Sequence, residues 1–184
     1  MSETIAEIIR GRRTIHDFLP DRMPPRELIL EALELAAWAP NHRLTEPWRY
    51  YLLGPEMKEK VCRLNADLIR AARGDQAAEM KLQRWLAIPG WLVQTCAVSA
   101  SPIRADEDFA ACCCAAQNLM LYLWSRGIGC KWTTGELSRH AGLYELLQID
   151  RQQEKITGIF WYGYPQAVPT TLRRPLVEKL TELP

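Results

Sequence analysis

The sequence predicts an α+β domain in which helices pack around a small sheet. Amphipathic helical patterns alternate with only about four short runs rich in aromatic and β-branched residues. The chain has 184 residues, which fits one domain, and we place that domain at residues 1–184. No glycine-rich fingerprint of a Rossmann dinucleotide site or of a P-loop occurs in it, so neither fold is indicated.

Local signals define the elements of the N-terminal half. Residues 4–7, Thr-Ile-Ala-Glu, have the spacing of a capping box and begin a short helix that ends near Gly11. Pro24 and Pro25 precede a second helix, which should stop before Pro40. The next predicted elements are a strand over 48–53, helices over 56–73 and 76–86, and a buried strand over 92–99.

The C-terminal half contains the longest helical pattern, residues 106–126. Its acidic start at 106–108 and its basic end at Arg126 complement the helix dipole. Almost its whole circumference is apolar, which is typical of a helix at the centre of a core or of a subunit interface. An extended segment over 128–133, a helix over 136–147 and a strand over 155–162 follow.

Composition and charge exclude several classes of protein. The formal net charge is +1, whereas a general nucleic-acid binder carries a strong basic excess. The six cysteines form no Cys-x-x-Cys pair, so we predict small buried thiols and no metal site. No apolar stretch reaches the roughly 20 residues of a membrane span. Residues 1–4 lack the features of a secretory leader, and we expect a cytoplasmic protein.

Four segments have residue types that suit a ligand site. Arg12-Arg13-Thr14 and Arg173-Arg174 can each grip a phosphate, or can simply be a basic helix end and a solvated tail. Residues 39–48, which include His42, form a proline-bracketed loop between a helix and a strand. Residues 127–135 are rich in glycine and threonine; they suit a planar ligand or an ordinary helix-to-strand turn.

Taken together, these segments resemble the FMN-dependent nitroreductase family, and specifically its compact single-domain members. The matching blocks occur in the family's order and cover nearly the whole chain. They are Arg12-Arg13-Thr14 with Phe18, Ala39-Pro40 through Pro47-Trp48-Arg49-Tyr50, Gly127-Ile128-Gly129 with Trp132-Thr133-Thr134-Gly135, and Tyr162-Gly163-Tyr164-Pro165 with Arg173-Arg174-Pro175-Leu176.

The resemblance implies a homodimer with a mostly antiparallel central sheet surrounded by helices, and FMN at the dimer interface. Arg12, Arg13 and Thr14 would hold the phosphate and ribityl end of the FMN. The other positions that it implies are Arg174 and Arg173 at the phosphate, Trp38 and His42 reaching the flavin from the partner subunit, and Trp132, Thr133 and Thr134 along the flavin.

The activity that the resemblance implies is hydride transfer from NAD(P)H through FMN to a nitroaromatic, a quinone or a similar electron-poor acceptor, with ping-pong kinetics. No catalytic acid is assigned, and Lys131 and Arg12 are the candidates for stabilising reduced flavin. Leu44 and Glu46 depart from the family's usual loop residues. They leave two alternatives open: a flavin-binding or storage protein with little turnover, and an enzyme that uses reduced flavin for another reaction.

Overall fold

The computed structural model describes residues 4–184, so the prediction about a leader rests in part on residues 1–3, which lie outside this range. Among the described residues, one four-stranded sheet has the strand order β1-β2-β4-β3, and every neighbouring pair is antiparallel. This confirms the α+β prediction. The strands are β1 (Trp48–Leu53), β2 (Gly90–Ala97), β3 (Gly129–Thr133) and β4 (Glu154–Gly163).

Six α-helices surround the sheet in the described part of the chain. The first has the predicted capping box, in which Thr4 and Glu7 each bond the other's backbone N–H. The second follows Pro25 directly. The helices are α1 (Ile5–Gly11), α2 (Arg26–Ala36), α3 (Pro55–Arg73), α4 (Asp75–Leu86), α5 (Pro102–Ser125) and α6 (Ala141–Leu146).

The two faces of the sheet carry separate cores. One core packs α2 and α5 against alternate strand residues such as Leu92 and Phe160. The other packs α3, α4 and α6 against the residues that point the opposite way. There Trp85, Trp91 and Trp161 form a cluster with ring centroids 5.0 to 5.4 Å apart. Because neighbouring strand residues point to opposite faces, the sheet separates its side chains into two environments.

Three predictions about local structure need correction. Helix α5 begins at Pro102 rather than at residue 106, because the Ser101 side chain accepts a hydrogen bond from the Arg104 N–H and caps it. The acidic run therefore lies beyond its first turn. The helix predicted over 136–147 is a 3-10 turn followed by α6, with His140 as the cap between them. Cys114 is exposed rather than buried.

Within residues 4–184, no helix combines the length and the hydropathy needed to cross a membrane. The same residues contain no group of three or more His, Cys, Asp and Glu side chains that could bind a metal ion.

Candidate functional site

A cleft of about 370 Å³ brings together basic residues from both ends of the chain. Arg12 and Arg13 come from the end of α1, and Arg173 comes from the C-terminal segment. We call this the arginine cleft; its lining residues are Ile9, Arg10, Arg12, Arg13, Gln117, Thr171 and Arg173. Arg174 does not line it and is exposed. The fold thus brings together the first predicted basic pair and one member of the second.

Part of the Arg13 guanidinium group is hydrogen-bonded within the fold, and part of it has no partner. Its Nη1 donates hydrogen bonds to the carbonyl oxygens of Arg10, Gly11 and Arg12 at 2.7, 3.1 and 3.0 Å, which satisfies the end of α1. Its Nε is buried and has no hydrogen-bond partner within the described chain. A buried donor without a partner is costly, so this atom is suited to meet an acceptor from a ligand.

The described residues that line the arginine cleft include several arginines and no acidic side chain that could compensate their charge. Burial lowers the pKa of Arg12, and the neighbouring guanidinium groups of Arg173 and Arg13 lower it further, against an opposing effect of Cys130. Like charges held this close repel each other, so an anion between them is strongly favoured. The cleft therefore has the electrostatics of an anion site.

The strand-like segment after Arg13 connects this cleft to β3. Thr14 forms a parallel bridge with Cys130, and the Ile15 N–H donates to the Cys130 carbonyl at 3.2 Å. His16 follows Ile15 directly, and its Nδ1 atom lies 3.3 Å from the Nζ atom of Lys131. The chain therefore continues from the arginine cleft along the sheet edge to Lys131.

Lys131 lines a second cavity, also of about 370 Å³, which lies against the tryptophan-rich face of the sheet. We call it the sheet-face cavity. Its Lys131 Nζ lies 4.6 Å from the ring centroid of Trp161. Burial lowers the pKa of Lys131, as do Lys81 and Arg84, whereas Asp17 raises it. The cavity therefore combines aromatic walls with positive charge.

Two residues that line the sheet-face cavity each have a buried donor atom without a partner among the described residues. These atoms are the Nδ2 of Asn65 and the Nε1 of Trp161, in side chains that are 8% and 5% exposed. Native proteins rarely leave such groups unpaired. The cavity is therefore suited to a flat ligand that carries hydrogen-bond acceptors.

The three predicted residues of the glycine-rich turn are separated by the sheet. Trp132 stacks on Phe160 at 5.5 Å, and its Nε1 donates to the Thr157 carbonyl at 3.1 Å on the α5 side. Thr133 points the other way and lines the sheet-face cavity. Thr134 lines a third cavity, of about 600 Å³. Of the three, only Thr133 lines the same cavity as Lys131.

Trp38 and His42 lie outside both cavities of their own chain. Trp38 follows α2 and is 81% exposed. His42 is exposed in the loop that precedes β1. Because both side chains are exposed, another molecule can contact and cover them.

Sequence reasoning missed several residues that line the two cavities. Arg10, Gln117 and Thr171 join the arginine cleft, and Asn65 and Lys81 join the sheet-face cavity. Lys81 lies 50 positions before Lys131 on a helix whose local pattern is ordinary. Nothing in the spacing of Asn65 and Lys81 indicates that they share a site with Lys131, because they are brought together only by the core in which α3 and α4 pack.

Comparison with known proteins adds the family relationship. The model of the Nitroreductase family matches residues 9–164. The Bacillus subtilis protein YfhC, provisionally named as an NAD(P)H nitroreductase, is 32% identical over 97% of this chain and 94% of its own length. A nitroreductase-like family protein from Bacillus cereus is 34% identical, with a TM-score of 0.88 over 100% of this chain and 97% of that one.

A more distant structure has the same fold. It is a Desulfovibrio desulfuricans protein solved with FMN, which is 21% identical and has a TM-score of 0.77 over 100% of this chain and 99% of that chain. At this identity it supports the fold alone. The family match over residues 9–164 and the Bacillus relatives carry the assignment, and they show that the chain belongs to the nitroreductase family.

Proposed function

We propose that this protein is an FMN-dependent oxidoreductase that passes reducing equivalents from NAD(P)H to nitroaromatics, quinones or similar electron-poor acceptors. The observation that carries the proposal is the convergence of Arg12, Arg13 and Arg173 on one cleft that contains an unpartnered buried donor, Arg13 Nε. Membership of the nitroreductase family supports it independently.

The arginine cleft fits the phosphate of FMN. Guanidinium groups bind phosphate oxygens through paired, charge-assisted hydrogen bonds. The dianion would offset the repulsion between Arg12 and its neighbouring guanidinium groups and would give Arg13 Nε an acceptor. Thr14, which is exposed at the sheet edge, would hold the ribityl end.

The sheet-face cavity fits the ring system of the same cofactor. Its unpartnered donors, Asn65 Nδ2 and Trp161 Nε1, match the carbonyl and ring-nitrogen acceptors of a flavin. Thr133 lines the cavity and adds a hydroxyl group. The path from Thr14 to His16 and Lys131 along the sheet edge would join the phosphate end to the ring end.

Bound FMN supplies the redox chemistry, accepting a hydride from the nicotinamide and giving it to the acceptor. The residues of the chain hold the ring, exclude water from one side and place positive charge beside it. Lys131 is held over Trp161, with His16 at 3.3 Å, and provides that charge at a fixed position. Because the nicotinamide leaves before the acceptor arrives, the kinetics are ping-pong.

A homodimer completes the proposed site. Residues 166–184 are exposed along their whole length, and several of them are large and apolar. Together with the exposed Trp38 and Leu44, they leave several large apolar side chains uncovered, and exposed apolar surface is typical of interaction sites. In the proposed dimer, Trp38 and His42 contact the FMN of the partner subunit.

The absorbance spectrum of the purified protein, before and after addition of FMN and then of NADH or NADPH, tests the proposal. We expect a bound-flavin spectrum that bleaches rapidly with a nicotinamide and recovers when a nitroaromatic or a quinone is added. A protein that retains no flavin after FMN addition would refute it. Bound flavin that bleaches only over hours would instead favour the storage alternative.

Replacing Lys131 by Met removes the charge beside the proposed ring site and keeps most of the length of the side chain. We expect the midpoint potential of bound FMN to become more negative by about 30–60 mV, because the reduced, anionic form loses a stabilising partner. Lys60→Met is the matched control, since Lys60 pairs with Glu56 on the exposed side of α3. Equal potentials in the two variants, measured by dye-coupled reduction, would remove Lys131 from this role.

A further inference from the structure

One partly buried hydrogen bond connects the loop that contains His42 to the long helix α5. The Oγ1 of Thr45 donates to Oδ1 of Asp108 on α5 at 2.7 Å. Asp108 is 4% exposed, and within residues 4–184 no basic side chain forms a salt bridge with it. Burying a carboxylate with one neutral donor disfavours folding, so fold stability alone does not account for this pair.

The loop needs an external restraint because its backbone is strained. Arg43, Leu44 and Glu46 have φ values of 56°, 53° and 44°, in the left-handed region that side chains disfavour. Strained residues persist only where the surroundings hold them, and they cluster at functional sites.

Hydrogen bonds within the loop restrain only its own ends. Asn41 Oδ1 accepts from the Glu46 N–H at 3.0 Å, and Asn41 Nδ2 donates to the Ala39 carbonyl at 3.2 Å. These contacts close the loop on itself without fixing it to the domain. Within the described residues, Thr45 supplies the side-chain hydrogen bond from this loop to α5.

We propose that Thr45 and Asp108 are positioning residues, and that their hydrogen bond holds the 41–46 loop where His42 meets the cofactor of the partner subunit. This inference rests on the proposed function, which places His42 at that cofactor. The proposed role requires no contact between either residue and the cofactor. The pair acts by fixing a strained loop against α5, the helix that also forms much of one core.

The test compares Thr45→Val, which has no hydroxyl group, with Thr45→Ser, which keeps it, in full-length FMN-loaded protein. We expect Thr45→Val to weaken FMN binding about tenfold, as loss of a hydrogen bond to a charged group predicts. Thr45→Ser should stay near wild type, because it keeps the hydroxyl donor of this bond. Tryptic cleavage after the exposed Arg43, followed by mass spectrometry, should accelerate in Thr45→Val alone.

Each result decides the proposal. Equal FMN affinities in Thr45→Val and Thr45→Ser would overturn it, and so would faster cleavage after Arg43 with unchanged FMN affinity. If Thr45→Val fails to fold, Thr45→Ala provides a second hydroxyl-free variant with the same expected outcome. Wild-type protein that binds no FMN would refute the proposed function and this inference together. If only the role of the Thr45–Asp108 hydrogen bond is wrong, the wild-type protein still binds FMN.

Discussion

Replacing Arg12 and Arg173 together by Gln is expected to weaken FMN binding by about 10²- to 10⁴-fold. Each guanidinium contributes charge-assisted hydrogen bonds to the proposed phosphate, and each such bond contributes about 1.5–3 kcal/mol. The two arginines come from opposite ends of the chain and line the same cleft. Titration of the protein with FMN, followed by flavin fluorescence, measures the change.

The chain offers two comparisons for this experiment. Arg63→Gln breaks an exposed i,i+4 pair with Glu59 on α3 and should leave FMN affinity at the wild-type level. Arg173→Gln should lower the affinity more than Arg174→Gln does, because only Arg173 lines the arginine cleft. If the double variant binds FMN as tightly as the Arg63→Gln protein, the phosphate does not lie in this cleft.

The second large effect is expected from Gly158→Ala in β4. A Cβ atom at this position would lie 1.9 Å from Nε1 and 2.3 Å from Cδ1 of Trp132. The indole is held by its hydrogen bond to the Thr157 carbonyl and by stacking on Phe160, so it cannot move aside without losing both. We expect the free energy of unfolding to fall by about 2–5 kcal/mol, from overpacking and the loss of a partly buried hydrogen bond.

Gly54→Ala is the matched control for this stability prediction. Gly54 has a φ of −71°, and a Cβ there meets no atom within 4 Å. Gly54 is the N-cap of α3, where alanine is less favourable than glycine, so we expect a loss of at most about 1 kcal/mol. Urea unfolding of both variants tests the pair of predictions; similar midpoints would show that Trp132 is free to repack.

Elements with signals inside their own span were predicted closely from the sequence. Strand β1 has the predicted bounds, and α1 has the predicted capping box, since both depend on neighbouring residues alone. The start of α5 was placed at the acidic run over 106–108, whereas the helix begins at Pro102 after the capping residue Ser101. Both patterns are consistent with a helix start, and the hydrogen bond from the Arg104 N–H to Ser101 decides between them.

By itself, the sequence determined the elements, the α+β class and the basic and glycine-rich segments from which a site could be built. The tertiary structure decided which of those residues meet. Pairing of β3 with β4 puts Thr133 and Trp132 on opposite faces, and the path of the C-terminal segment selects Arg173 over Arg174. Packing of α3 and α4 places Asn65 and Lys81 in the lining of the same cavity as Lys131. The physical reason is range: capping and periodicity act over a few residues, whereas a binding site depends on contacts between distant segments, which only the packed core fixes.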